Sequence, residues 1–174
     1  MDPPRSRTVF TGRVVSLAVE QVRLPNGEEV ELEIVRHPGG AAVAAVDAAD
    51  CVCLLRQYRH AAGGWIWELP AGKLDPGESP ATTARRELAE EAGVQASEWR
   101  PLGRVVSSPG VFTEVVHLYL ARGLAPATAR PERGELFETH WLPLQEAADR
   151  AASGEIEDAK TVIGLLRARA ALRT

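Results

Sequence analysis

Three carboxylates, Glu87, Glu90 and Glu91, stand at i, i+3 and i+4 in the run ARRELAEEAGV, a spacing that collects them on one face of a helix. Like charges so placed repel one another, and toward a helix C-terminus they also oppose the macrodipole. Arg86, four residues before Glu90, is the cation placed for local relief. Such a face is either solvated surface or a set of hard oxygen ligands. In the second case a divalent cation such as Mg²⁺ relieves the repulsion and commonly bridges to substrate phosphate as well. The polar, glycine-bearing segment GKLDPGES just before the helix favours the second reading.

The helix itself is marked at both ends. Ser79 is a good N-cap, Pro80 suits the first helical position and Gly93 suits the left-handed residue past the end, which predicts a helix over 80–92. Ala81, Ala84, Leu88 and Ala92 form an apolar stripe that can pack on a sheet, apart from the acidic face.

The spacing of Gly72, Glu78, Arg86, Glu87, Leu88, Glu90, Glu91, Gly93 and Val94 resembles the Nudix box, with no position departing from it. The resemblance implies a hydrolase acting on a nucleoside diphosphate linked to another moiety. It also implies the fold: an α/β/α sandwich around a mixed sheet, here preceded by an N-terminal antiparallel β hairpin. Within the box it makes Glu87, Glu91 and the carbonyl of Ala71 the metal ligands. Glu90 binds metal directly or through water, and Gly72, Glu78, Arg86 and Gly93 hold loop and helix together. Two or three Mg²⁺ per site are implied, with Mn²⁺ as a substitute.

Further residues resemble the ADP-ribose pyrophosphatase branch. Arg59 matches an arginine that contacts the substrate diphosphate, and Glu68 in WELPAG matches a glutamate near the metals. Pro109 lies fifteen residues after Val94, the branch's proline marker, in SPGVFTE. By the same resemblance Pro109 and Gly110 belong to a substrate-holding loop and Glu114 receives ribose hydroxyls, although Val111, Phe112 and Thr113 depart from the usual S-P-G-F-x-D-E. The general base in this branch comes from a glutamate ahead of the last strand. Glu135 is the candidate, Glu132 and Glu138 the alternatives. Read from the residues alone, Arg59 and Glu114 are also what strand-end surface charges look like. Trp65 and Trp67 read as packing residues more than as a base-stacking platform.

These features lead to an expected Mg²⁺-dependent hydrolysis of ADP-ribose, or a related nucleoside diphosphate sugar, to AMP and ribose 5-phosphate. GDP-mannose hydrolysis and NADH hydrolysis are the enzymatic alternatives. A catalytically silent nucleotide-sensing module is the alternative from another class, and the intact acidic set argues against it.

Around the box, 174 residues with 45% hydrophobic and 25% charged content make an ordinary globular chain. The net charge of −4 and the lack of a basic block argue against nucleic acid. No apolar run is long enough to span a membrane and the N-terminus lacks a signal-peptide pattern, so a cytoplasmic protein is expected. Cys51 and Cys53 read as reduced core residues. The first eight residues are expected to fray. Thr11–Val22 and Glu29–Arg36, separated by Pro25-Asn26-Gly27, then read as a hairpin. Residues 1–40 thus form an N-terminal β subdomain and 41–174 the hydrolase domain. Strands are also predicted over 41–46, 50–58, 98–107, 114–121 and 137–142, and helices over 144–152 and 158–172. A mobile loop is expected at 123–134. A lone hairpin is marginal in water, and the resemblance implies a homodimer that exchanges these N-terminal strands.

Overall fold

The structure is a computed structural model that describes residues 5–130 and 134–173. The chain divides into two compact units, one of residues 1–39 with 106–115, the other of 40–105 with 116–174.

The first unit carries β1 (Arg5–Thr11), β2 (Ser16–Arg23) and β3 (Glu29–Arg36), paired antiparallel in the order β1-β2-β3. The expected hairpin is therefore a three-stranded sheet, and Arg5–Thr11 is not frayed. Two physical reasons explain the difference. The Gly12 N–H donates to the Val15 carbonyl at 2.8 Å, a tight turn that cuts the run 11–22 into two strands. β1 is an edge strand exposed along its whole length, so no alternation of burial marks it in the sequence. Segment 106–115 joins this sheet through the Val35 N–H to the Val111 carbonyl (2.7 Å) and the Thr113 N–H to the Val35 carbonyl (2.9 Å). Pro109 and Gly110 lie in its turn, where the N–H groups of Val111 and Phe112 donate to the Ser108 carbonyl.

The second unit is a three-layer α/β arrangement. Its strands β4 (Gly40–Ala45), β5 (Cys51–Arg59), β6 (Gly64–Glu68), β7 (Ala71–Lys73), β8 (Val94–Val106), β9 (Val115–Pro126) and β10 (Phe137–Pro143) form two sheets. Their orders are β10-β5-β6 and β7-β4-β9-β8. β4 runs parallel to β9 and antiparallel to β7, so the sheet is mixed. The helices are α1 (Pro80–Ala92), α2 (Leu144–Ser153) and α3 (Ala159–Leu172). β6 and β7 lie in a stretch whose sequence reads as a loop, being short and rich in Trp and Gly. β9 continues to Pro126, into the segment expected to be a loop.

β4 is GAAVAA, buried throughout. Its alternation serves both layers. Ala41, Val43 and Ala45 join Cys53 and the α1 residues Ala84 and Leu88, while Ala42 and Ala44 join Val52, Leu54 and residues of α2 and α3. Small side chains in β4 and α1 bring helix and strand close. Full burial of Leu88 contributes about 2 kcal/mol.

Candidate active site and metal centre

The helix α1 follows the sequence signals at both ends. Ser79 Oγ accepts from the Thr82 N–H at 3.2 Å, Pro80 opens the helix, and Gly93 closes it at φ 64°, its N–H bonded to the Ala89 carbonyl at 3.1 Å. The register set by these caps turns Glu87 and Glu91 inward, 7% and 3% exposed, toward β7. Glu91 Oε2 accepts from the Ala71 N–H at 2.8 Å. A Cβ on Gly72 would overlap the Glu87 carboxylate. Glycine at that position leaves the helix carboxylate room to lie against the strand backbone.

Arg86 is the electrostatic hub. Its Nη2 donates to Glu78 Oε2 at 3.0 Å and to the Lys73 carbonyl at 3.3 Å, and its Nη1 donates to Glu87 Oε1 at 2.7 Å and Glu90 Oε2 at 3.1 Å. Glu78 also accepts from Thr83 Oγ1 at 2.8 Å. The Arg86 hydrogen bonds, with the one from Thr83, hold the Glu78 carboxyl down to about 2. Arg86 is itself held more firmly protonated, first by Glu78 and then by Glu87 and Glu90.

Glu87 and Glu91 both shift the other way from Glu78. Burial raises the Glu91 carboxyl to about 8; the Ala71 N–H opposes the rise, and the charges of Glu87 and Glu135 add to it. Burial likewise raises Glu87 against the pull of Arg86, with Glu90 and Glu135 adding to the rise. Two buried carboxylates resisting ionisation beside further acids form an oxygen donor set that a hard divalent cation would stabilise. By its chemistry this donor set suits such an ion, which Glu87, Glu91, Glu90 and the Ala71 carbonyl would hold. Among the described residues no group of three His, Cys, Asp or Glu side chains is arranged to hold a metal ion. Arg86 engages Glu87 and Glu90, and the Ala71 N–H engages Glu91.

Arg59, at the end of β5, meets Glu68, at the end of β6, in a bidentate pair: Nε to Oε1 at 2.7 Å and Nη2 to Oε2 at 2.9 Å. Lys160 Nζ, from the first turn of α3, reaches the same Oε2 at 2.7 Å and Asp158 Oδ1 at 3.0 Å. Burial raises the Glu68 carboxyl, but the Arg59 hydrogen bonds and the Lys160 charge outweigh it and leave the group below the usual carboxylate range. Lys160 was not visible as a site residue in the sequence, because it lies 92 residues from Glu68. The available signal was the N-cap Asp158 just ahead of it.

Glu135 is half-buried, and its charge adds to the rise of the Glu87 and Glu91 carboxyls and helps keep Arg59 protonated. Glu138 is exposed and pairs with His140 at 3.4 Å. Glu132 lies outside the described residues. Pro109, Gly110 and Glu114 belong to the N-terminal unit, where Glu114 Oε1 is 3.5 Å from His37 Nδ1. Trp67 is packed on the core edge with Arg56 over its ring and His140 against it. Trp65 is a more exposed neighbour of Tyr58. Cys51 and Cys53 are free thiols, and burial pushes Cys53 up to about 12, with a contribution from Glu91. No helix among the described residues is long and apolar enough to cross a membrane.

The model of the NUDIX domain matches residues 36–163. The chain is 42% identical over 169 residues to an ADP-ribose pyrophosphatase of Mycobacterium tuberculosis, covering 95% of this chain and 81% of that protein. It is 40% identical over 163 residues to a methanol dehydrogenase activator of Bacillus methanolicus, covering 92% and 88%. The crystal structure of an ADP compounds hydrolase superposes with a TM-score of 0.82 at 25% identity, covering 99% of this chain and 96% of that one. Nudix hydrolases generally act with a divalent metal, in keeping with the donor set on α1. The chain belongs to the Nudix hydrolase family.

Proposed function

We propose that this protein hydrolyses the diphosphate of ADP-ribose to AMP and ribose 5-phosphate, using Mg²⁺ or, in substitution, Mn²⁺, with two or three ions per site. The observation that carries the reaction is the pair of buried α1 carboxylates, Glu87 lying against Gly72 and Glu91 bonded to the Ala71 N–H. The choice of ADP-ribose rests on the likeness to an ADP-ribose pyrophosphatase over nearly the whole chain.

A diphosphate resists attack because its oxygens are anionic and water is a poor nucleophile. Bound divalent ions would neutralise that charge and lower the pKa of water. Arg59, already oriented by Glu68, donates its remaining N–H groups to phosphate oxygens. Glu135 takes the proton from the attacking water as the new P–O bond forms, and the bridging P–O bond breaks to release the two monophosphates. Glu90 supports the carboxylate set.

The working form we propose is a cytoplasmic homodimer that exchanges N-terminal strands, which would cover Phe10, 57% exposed on β1. Sedimentation at micromolar concentration tests it: a dimer that dissociates when residues 1–11 are removed is expected, and a monomeric intact chain would refute it.

A substrate panel with Mg²⁺ tests the activity. AMP release from ADP-ribose should exceed turnover of GDP-mannose and NADH at least tenfold in kcat/KM. Efficient turnover of either competitor without ADP-ribose cleavage would overturn the substrate assignment. The metal-free chain with added EDTA should show no turnover.

A further inference from the structure

Glu68 is 2% exposed, yet three charged donor contacts converge on it: Arg59 Nε, Arg59 Nη2 and Lys160 Nζ. We propose that Lys160 is a positioning residue for substrate binding, which holds Glu68 so that Arg59 is presented to the diphosphate with its charge still available. The proposal rests on Arg59 being the diphosphate contact.

The charge count makes the case. Lys160 Nζ shares Glu68 Oε2 with Arg59 and also lies 3.0 Å from Asp158 Oδ1. Arg59 and Lys160 together balance Glu68 and Asp158, so the four groups are neutral with Lys160 in place; without it they would carry a net negative charge that repels an anionic substrate. Among the described residues Arg59 Nη1 makes no hydrogen bond, because the pair with Glu68 uses Nε and Nη2. The Arg59 edge turned away from Glu68 is thus kept for phosphate, as bidentate recognition requires, with the neighbouring carboxylates balanced by Lys160.

Lys160 is placed by a rigid attachment. Asp158 caps α3 through the Thr161 N–H at 3.0 Å and accepts from Thr161 Oγ1 at 2.6 Å, and Thr161 Oγ1 in turn accepts from the Leu69 N–H at 2.8 Å. Thr161 is fully buried. One turn on, Gly164 packs against Leu69, and a Cβ there would come within 2.5 Å of Leu69 Cδ1. The start of α3 is thus pinned to the residue next to Glu68, and Lys160 cannot shift without moving the segment that leads to Ala71. A lysine placed only for stability would hold the fold whether or not Arg59 is present. A positioning lysine acts through Arg59, and that difference is measurable.

The test is a double-mutant cycle of Lys160→Met and Arg59→Ala, with KM, kcat and melting temperature read for ADP-ribose hydrolysis. Lys160→Met should raise KM by about tenfold with kcat within about threefold. It should add less than about twofold to KM in the Arg59→Ala background, and Lys160→Arg should recover KM to within about threefold of wild type. A KM within twofold of wild type for Lys160→Met, or an equal rise in both backgrounds, overturns the proposal. So does a fall in kcat and melting temperature with KM unchanged. If Lys160→Met does not fold, Lys160→Gln carries the same expectations and the same refutations. If Arg59→Ala leaves KM unchanged, the reading of Arg59 as diphosphate contact falls and this proposal with it. If Arg59→Ala raises KM and Lys160→Met does not, the Lys160 assignment alone fails. Should the wild type prefer another nucleoside diphosphate, the cycle is run on that substrate, which separates this outcome from the choice of ADP-ribose.

Discussion

Arg59 approaches Glu68 through Nε and Nη2, one to each carboxylate oxygen, at 2.7 and 2.9 Å. The pair joins the ends of two neighbouring strands, and the β5–β6 register places Glu68 opposite Leu55 and Arg59 opposite Gly64. A planar fork is needed at this position, because a lysine ammonium can satisfy only one direction at a time. Arg59→Lys is expected to lower kcat/KM for the diphosphate substrate by about 10–100-fold, in line with losing one or two charge-assisted hydrogen bonds. Steady-state kinetics check the loss. The melting temperature should fall as well, since Glu68 is buried and keeps one strong partner fewer.

Gly72 is the second position where geometry ties one residue to the site. A Cβ there meets only the Glu87 carboxylate, the far end of a side chain, so it is accommodated by moving that group. Gly72→Ala is expected to displace Glu87, weaken the apparent affinity for divalent metal at least tenfold, and lower kcat by one to two orders of magnitude. Metal titrations followed by activity and by thermal shift check this prediction. An alanine variant with unchanged metal dependence would show that Glu87 has room to move.

The box was legible because its signals are local. Ser79, Pro80 and Gly93 fix the register of α1 through their own caps, and that register alone decides which glutamates turn inward. The partners that orient the site were not legible, because they come from distant parts of the chain. Nothing near Glu68 in sequence points to Lys160, and nothing near Leu69 points to Thr161. β1 escaped for another reason: every side chain on it is exposed, so the period-two pattern that marks a half-buried strand is missing. The two glycines of GGW and the short AGK segment hid β6 and β7 in the same way, since strands this short carry little pattern.

Glu78 ties the loop to the helix, and its carboxyl is held down to about 2 by Arg86. A depressed carboxyl adds stability that is present above the unfolded value, 4.5, and is lost as pH falls toward 2. Glu78→Gln should therefore destabilise the protein at pH 7 and make little difference near pH 2. Because the pair lies near the surface, solvent screening keeps the effect modest, on the order of 1 kcal/mol. Urea denaturation of both proteins at a series of pH values checks it: the two curves should converge on acidification.

Glu135 is assigned the proton transfer because its charge reaches Glu87, Glu91 and Arg59 together. Glu138, exposed and paired with His140, shares none of these relationships. Glu135→Gln should lower kcat by about 10²–10⁴-fold, the usual scale of general base catalysis, with KM within a few-fold. Glu138→Gln should leave kcat within about twofold. The reverse ranking would move the base to Glu138.

Glu91 supplies the sharpest pH signature. Its carboxyl is raised to about 8 in the metal-free fold, from 4.5 for an unperturbed group, chiefly by burial. Between those values the native state binds a proton that the unfolded chain has released, so the stability of the metal-free protein must fall as pH rises through the window. The loss amounts to a few kcal/mol for a group this buried. Glu91→Gln is uncharged at every pH, and its amide oxygen can still accept from the Ala71 N–H. In the absence of metal the variant should therefore be more stable than wild type at pH 8, equal to it near pH 5, and flatter in between. Catalysis should fall by orders of magnitude in the same variant, because one anionic donor is gone. Thermal melts in EDTA and in excess Mg²⁺ separate the two effects. Mg²⁺ should raise the wild-type melting temperature more at pH 8 than at pH 5, and should do much less for Glu91→Gln. A metal-free wild type whose stability does not fall between pH 5 and 8 would mean that Glu91 ionises without cost, and its burial could not then be the reason the site favours a cation.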